Sequence, residues 1–527
     1  MIRSPSVLLP AALALAASAA LVTPPAQAQR TRPMPAPPAG TMTLQEAAAT
    51  ITPADVYSRI EFLASDAMRG RNTPSPELEI AAAYLVNQHQ LLGLQPGGEG
   101  GTYWQWYPFP LRRLSAAQSR FEVSGGGPAQ TLQMGRDFYS MGGTAQPVSG
   151  EMVYAGRGTG PALAAGSMAG RVAVMTLPGG YSRAWRTERN QQRNAARRAG
   201  ASAVVHVLER GWTADSIAKY GASSVNPGRT LGGAVAFPQL FVTYEAASRM
   251  FAAAGAPLDR MWTRGAAESF RPVPLRGLTA GVALPQEEMD RGRAPNVIAI
   301  LPGSDPVLRN EYVVLSAHMD HVGVGAPVNG DSIFNGADDD ASGTTALLEV
   351  AQAFANLRER PRRSIVFVHV SGEEKGLLGS EWYSDHPTVP LASMVANINV
   401  DMIARNSPDS VVVIGKNYST LGQVANRVGA AHPELRLTLS DDIWPEERFF
   451  FRSDHFNFAR KEVPSIFFFS GVHADYHQPS DEVEKVDTDK AARISRMVFY
   501  ITHEIANAPE RPRWDPKGLE EVRALTR

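Results

Sequence analysis

The sequence predicts an α/β protein: a mixed, mostly parallel sheet sandwiched by helices and interrupted by an inserted β-rich block. Three observations predict it. After Pro295, apolar strands alternate with helical patterns: Tyr312 to Ala317, Ser342 to Leu357, Ile365 to Val370, Leu377 to Ser384 and Val395 to Val400. Such alternation indicates a largely parallel sheet covered on both faces. From about Gly125 to Pro272 the texture is instead short β-like runs broken by glycine, among them Gly170 to Met175 and Phe237 to Val242. Finally, 527 residues exceed what one hydrophobic core organises.

Taken in order, Arg3, the apolar run Val7 to Val22 and the small residues of Ala26-Gln27-Ala28 read as a signal peptide over residues 1–28. Pro10, Pro24 and Pro25 break the run as a membrane span. The expectation is an exported protein, periplasmic or extracellular, with no stable membrane insertion. Residues 29–45 are Pro-rich and read as a disordered lead-in. Helical spacing then covers Thr52 to Leu94, with Pro53 just after a capping Thr52 and a second helix from Glu77 to Leu92. Between them, Leu63 to Arg71 is a polar connection with no legible task. The block 125–272 holds a helix from Arg186 to Ala199 and no cluster of titratable residues, so a non-catalytic module is expected there. It divides a main domain of residues 46–124 and 273–508, which adds strands at Val411 to Ile414 and Ile466 to Phe469 and a closing helix from Asp489 to Ala506. Residues 509–527 form a tail.

Composition narrows the chemistry. With 51 basic and 52 acidic residues the net charge is -1, which offers no basic face for nucleic acid. There is no cysteine, so disulfides, a thiol nucleophile and cysteine zinc sites are excluded, and any metal must be held by His, Asp and Glu.

Those residue types cluster just past the strand ends. The first strand runs into His318-Met319-Asp320-His321. The loop before the next helix is Asn335-Gly336-Ala337-Asp338-Asp339-Asp340-Ala341-Ser342-Gly343. Later strands lead to Gly372-Glu373-Glu374-Lys375, to Asn399-Val400-Asp401-Met402 and to Asp475-Tyr476-His477. In open α/β sheets the carboxyl edge is where loops from different strands converge. Alone, a histidine there is a hydrogen-bonded structural residue and an aspartate run a solvated turn. Together, that many carboxylates without cations would cost several kcal/mol per uncompensated charge. A pair of divalent metals removes the cost, and a His/Asp/Glu mixture suits zinc, with cobalt or manganese as substitutes.

On these stretches, together with Ser453-Asp454-His455, the sequence resembles the di-zinc aminopeptidase and glutamate carboxypeptidase family, whose members share a zinc-dependent exopeptidase fold. The motif order agrees throughout. Leu63 to Arg71 also resembles the N-terminal segment of bacterial members, and the inserted block is similar to a protease-associated domain. The resemblance implies two zinc ions, one held by His318 and Asp401, the other by Glu374 and His477, with Asp339 bridging and a cis peptide between Asp339 and Asp340. It implies Asp320 as the carboxylate that fixes the His318 imidazole, Glu373 as general base toward the attacking water, and Tyr476 as a donor to the developing oxyanion. His321, His455, Asp454 and His473 are read as structural or pocket residues. Peptides are then the substrates, with an aminopeptidase as the leading activity. A carboxypeptidase or dipeptidase is the runner-up. A metal-free receptor-like protein and a one-zinc cyclase-like transferase are disfavoured because both ligand sets are filled.

Overall fold

The computed structural model describes residues 40–158, 163–213, 215–217, 219–220, 228–231 and 237–526. The signal-peptide reading and the start of the lead-in lie outside the described residues.

The main sheet is mixed. Its strands run in the order Gln95–Pro96, Arg293–Leu301, Ser364–Val370, Tyr312–His318, Met394–Val400, Ser465–Phe469, Ser410–Ile414 and Thr438–Ser440, and Trp104–Pro108 also pairs with Arg293–Leu301. The four strands from Ser364–Val370 to Ser465–Phe469 are mutually parallel, flanked on each side by an antiparallel neighbour. Side-chain alternation assigns each residue to a face. Val313, Leu315 and Ala317 join a core with the helices Pro53–Leu63, Pro76–Leu91, Gly343–Asn356 and Thr488–Asn507. Val314, Val366, Val368 and Val370 join a second core with Tyr383 and Phe458. Both faces are apolar, which is why these strands read as continuous hydrophobic runs. His318 lies opposite Val370 and Val400 opposite Phe468, so neighbouring strands end in line.

Two helices extend the reading at the ends of the chain. Residues 40–45, expected to be disordered, are packed on the main domain: Thr43 and Glu46 form a reciprocal capping box on Leu44–Ala49, and the Met42 N–H donates to Asn356 O at 3.0 Å. The tail carries Pro516–Thr526, whose Val522 is buried, and Trp514 Nε1 donates to Glu462 O at 2.7 Å.

A second sheet, with its own apolar core, runs in the order Gln130–Leu132, Arg120–Ser124, Val273–Ala283, Val148–Tyr154, Val172–Leu177, Ala203–Leu208, Gln239–Val242 and Phe138–Met141. The expected limits of 125 and 272 are corrected at both ends, because Arg120–Ser124 and Val273–Ala283 pair with each other inside this sheet. The glycines at 125–127, read as a boundary, connect Arg120–Ser124 to its antiparallel partner Gln130–Leu132. Among the described residues no helix is long and apolar enough to cross a membrane.

Candidate metal centre

At the carboxyl edge of the parallel strands the loops bring His318, Asp339, Glu374, Asp401 and His477 together. His318 Nε2 lies 3.2 Å from Asp339 Oδ1 and 3.5 Å from Asp401 Oδ1. His477 Nε2 lies 3.1 Å from Asp339 Oδ2 and 3.1 Å from Glu374 Oε2. Asp339 therefore turns one carboxylate oxygen to each histidine.

The three consecutive aspartates divide their work. Asp340 accepts backbone N–H groups from His318 (3.1 Å), Gly343 (2.9 Å) and Met402 (3.1 Å), tying three loops to one carboxylate. Asp338 accepts from Ala404 N at 2.7 Å and Ser342 Oγ at 3.2 Å. Only Asp339 faces His318 and His477, and its bond to Asp340 is cis. Two glycines make the turn: a Cβ on Gly336 (φ +61°) would sit 2.2 Å from Asp339 O, and one on Gly343 2.2 Å from Val400 O.

Asp401 is oriented through a buried relay. Ser316 Oγ donates to Asn399 Oδ1 (2.6 Å), Asn399 Nδ2 to Ser453 Oγ (2.8 Å) and Ser453 Oγ to Asp401 Oδ2 (2.7 Å). The expected role of Asp320 needs a correction. His318 Nδ1 pairs with the Asp320 backbone carbonyl at 3.1 Å, whereas the carboxylate is 3.7 Å away. That carboxylate is occupied by the Thr73 hydroxyl (2.8 Å) and the Glu373 N–H (3.3 Å), so Asp320 holds the imidazole with its main chain.

Glu373 and Tyr476 line one pocket with His318, Asp339, Asp401, Met402, Phe449, Arg452, Phe467, Phe469 and Val472. Burial, with Asp454, Asp401 and Glu374 nearby, raises the Glu373 carboxyl well above its usual range, although His318 opposes this. The Tyr476 ring stacks on His477 at 3.9 Å between centroids. Burial and the surrounding carboxylates push its phenol pKa up, so it stays protonated. Asp454 and His455 are buried beside this wall, the His455 ring against Phe467 and Phe450.

Three residues with an evident place here carry no separate signal in the sequence. His321, read as structural, is fully buried with Nδ1 2.9 Å from Glu374 Oε1 and 3.8 Å from Asp339 Oδ2. His318, Asp339 and Asp401 present donor atoms within 4.8 Å of one another, and so do His321, Asp339 and Glu374. Arg71, at the end of the polar connection, is buried and donates to the carbonyls of Leu63, Met319, Asn335 and Gly336. It clasps two of the site's loops. Thr73 joins the first of these to a third, donating to Asp320 and accepting the Gly372 N–H at 3.0 Å. The partial signal was the resemblance of Leu63 to Arg71 to bacterial members.

The electrostatics suit cations. Burial works against charge on His477, but hydrogen bonds to Asp339 and Glu374 outweigh it and raise the pKa to about 10. His318 is likewise raised well above its usual value against the effect of burial, chiefly by Asp401 and Glu373. Carboxylates that attract protons this strongly attract dications too. Glu374 Oε1, Asp401 Oδ1 and both ring nitrogens of His321 are buried without a hydrogen bond of good geometry, even though His321 Nδ1 approaches Glu374 Oε1 to 2.9 Å. Buried polar atoms left unpaired are costly, and a His/Asp/Glu set is a donor set zinc takes. The residues present fit divalent metal.

The fold and site define an α/β chain with a His/Asp/Glu centre at the carboxyl edge of its parallel strands. Residues 296–502 match the model of Peptidase family M28. It is 30% identical over 193 residues to leupeptin-inactivating enzyme 1 of Streptomyces exfoliatus, covering 36% of this chain and 38% of that one. It is 26% identical over 222 residues to a probable leucine aminopeptidase of Arthroderma benhamiae, covering 41% and 58%. The chain thus spans about half the length of these curated relatives. Among solved structures, an aminopeptidase from Aneurinibacillus sp. strain AM-1 is similar with a TM-score of 0.48 at 20% identity, over 90% of this chain and 98% of that chain.

Proposed function

We propose that the chain is an exported two-zinc exopeptidase that acts on peptides as an aminopeptidase. The observation that carries the reading is Asp339, with one carboxylate oxygen toward His318 and the other toward His477. His318 and Asp401 would hold one zinc, Glu374 and His477 the other, and Asp339 both, with His321 close behind Glu374. When bound, the ions supply Lewis acidity for the scissile carbonyl and a lowered pKa for water. The chain's own residues do the rest. Glu373, on the pocket wall, takes the proton of the attacking water and passes it to the leaving amine. Tyr476 donates from its protonated phenol to the developing oxyanion. Met402, Phe449, Phe467, Phe469 and Val472 offer an apolar wall to the terminal side chain. The sheet between Arg120 and Ala283 is read as a protease-associated-type module that acts on substrate access and lends no ligand.

Arg452 favours a second reading as a carboxypeptidase or dipeptidase, because it is the one arginine or lysine on that pocket wall among the described residues and pairs naturally with a substrate carboxylate. Product analysis on peptides blocked at either end separates the two. An aminopeptidase cleaves the C-terminally amidated peptide and leaves the N-acetylated one intact. The reverse pattern establishes a carboxypeptidase, cleavage confined to an unblocked dipeptide establishes a dipeptidase, and no cleavage of any of the three, with zinc bound, rejects both readings.

A further inference from the structure

Four residues after His477, the same loop carries a second carboxylate. Asp481 is fully buried. Its Oδ2 accepts the N–H groups of Asp338 and Asp339, each at 3.1 Å, and its Oδ1 is 3.2 Å from the Asp338 nitrogen. Its own carbonyl accepts the Ala337 N–H at 3.0 Å. Three consecutive amides therefore end on one residue, just upstream of Gly343–Asn356, where no helical carbonyl takes them. Arg405 completes the arrangement: Nη1 stands 3.8 Å from Asp481 Oδ1, and Nη2 donates to Asp475 Oδ2 at 2.7 Å at the start of the same loop.

We propose that Asp481 is a positioning residue of the metal centre, fixing the main chain of Asp338 and Asp339 to the loop of His477 and so setting the Asp339–His477 separation. The inference rests on the two-zinc reading. Capping alone would require only that the three amides be satisfied. What points further is that the acceptor lies four residues along the chain from His477, so that the Asp339 end of the 3.1 Å Asp339–His477 contact is tied directly to the loop that carries its other end. Asparagine keeps the size of Asp481 but turns an NH2 group toward N–H donors. Glutamate keeps the charge on a longer arm.

The test uses the full chain and its Asp481→Asn and Asp481→Glu variants, with zinc and cobalt(II) as probes. Zinc affinity is read by competition with a chelator, site geometry by the visible spectrum of the cobalt form, and folding by circular dichroism and melting of the metal-stripped protein. For Asp481→Asn the weaker zinc is expected to bind 10- to 100-fold less tightly, in the range of roughly 10–100-fold for lost outer-shell partners. The cobalt spectrum shifts, metal-free melting stays close to wild type, and Asp481→Glu recovers part of the affinity. Wild-type affinities and spectra in both variants overturn the proposal, as does failure of both to fold in excess zinc, which would place Asp481 in the stability of the core. A wild type that binds fewer than two zinc ions overturns the two-zinc reading itself, before either variant is compared.

Discussion

The hydroxyl of Ser453 donates a 2.7 Å hydrogen bond to Asp401 Oδ2, leaving Oδ1 3.5 Å from His318 Nε2. One carboxylate oxygen is thus spoken for and the other is free to bind. Replacing Ser453 with Ala removes the constraint without touching a proposed ligand. Zinc affinity should fall by about 10- to 100-fold, as for other outer-shell partners, in a chelator competition on a normally folded protein. An affinity equal to wild type would show that the relay from Ser316 through Asn399 has no bearing on metal.

Glu373 sits in the pocket but outside both facing pairs. Its replacement by Gln should leave zinc bound and lower kcat by at least about 100-fold, the scale of general-base loss. Near wild-type turnover removes Glu373 from the reaction. Loss of zinc would make it a ligand and exchange its role with that of Glu374.

Arg71 satisfies four buried carbonyls at once, so its loss should be felt in stability. Arg71→Met keeps apolar bulk but leaves those acceptors unpaired, at about 1–3 kcal/mol for each that finds no water. The expected outcome is a destabilisation of at least about 3 kcal/mol in urea, with or without zinc. A shift below about 1 kcal/mol would mean that water or neighbouring groups replace the guanidinium.

Much of this was legible in the sequence because it is local. Apolar runs predict the parallel strands, and the residues that follow them, His318, Glu373, Glu374 and Asp401, fall at strand ends by simple continuation. The register of Asp339 comes from the family resemblance, aligned on Ala341-Ser342-Gly343 where the chain turns into a helix, and not from the residues alone. What was not legible depends on partners far away in the chain. Arg71 is an ordinary basic residue until Met319, Asn335 and Gly336 fold around it. His321 stands three residues from His318, and spacing alone does not say that its ring turns to Glu374. Asp320 was expected to act through its carboxylate, and only the competing claims of Thr73 and the Glu373 amide show why its carbonyl does so instead. The strands Arg120–Ser124 and Val273–Ala283 are joined only by pairing, which no local pattern records.

Buried histidines away from the metal centre set an acid limit. His89 and His369 face each other at 2.9 Å, and His206 pairs with Gln192 at 2.8 Å. Burial holds His89 and His206 at about 3 and His369 well below the usual value. Their folded pKa values are depressed, so the stability they contribute is present above the unfolded value of about 6.5 and is lost as pH falls toward 3, where the unfolded chain binds protons the folded chain cannot. Each adds up to about 1.4 kcal/mol per pH unit to the slope within that window. The unfolding free energy of the metal-stripped protein should decline from pH 7 to pH 5, and His206→Leu should make the slope shallower by close to one proton. An unchanged slope would remove His206 from the effect.

The two-zinc proposal puts Asp339 between two metal ions held by the named residues. Diffraction from crystals of the zinc-loaded chain, recorded on either side of the zinc absorption edge, tests it directly. Two anomalous peaks are expected, flanking the Asp339 carboxylate, one against His318 and Asp401 and the other against Glu374 and His477. A single peak, or a pair of peaks in which Asp338 or Asp340 takes the place of Asp339, would contradict it.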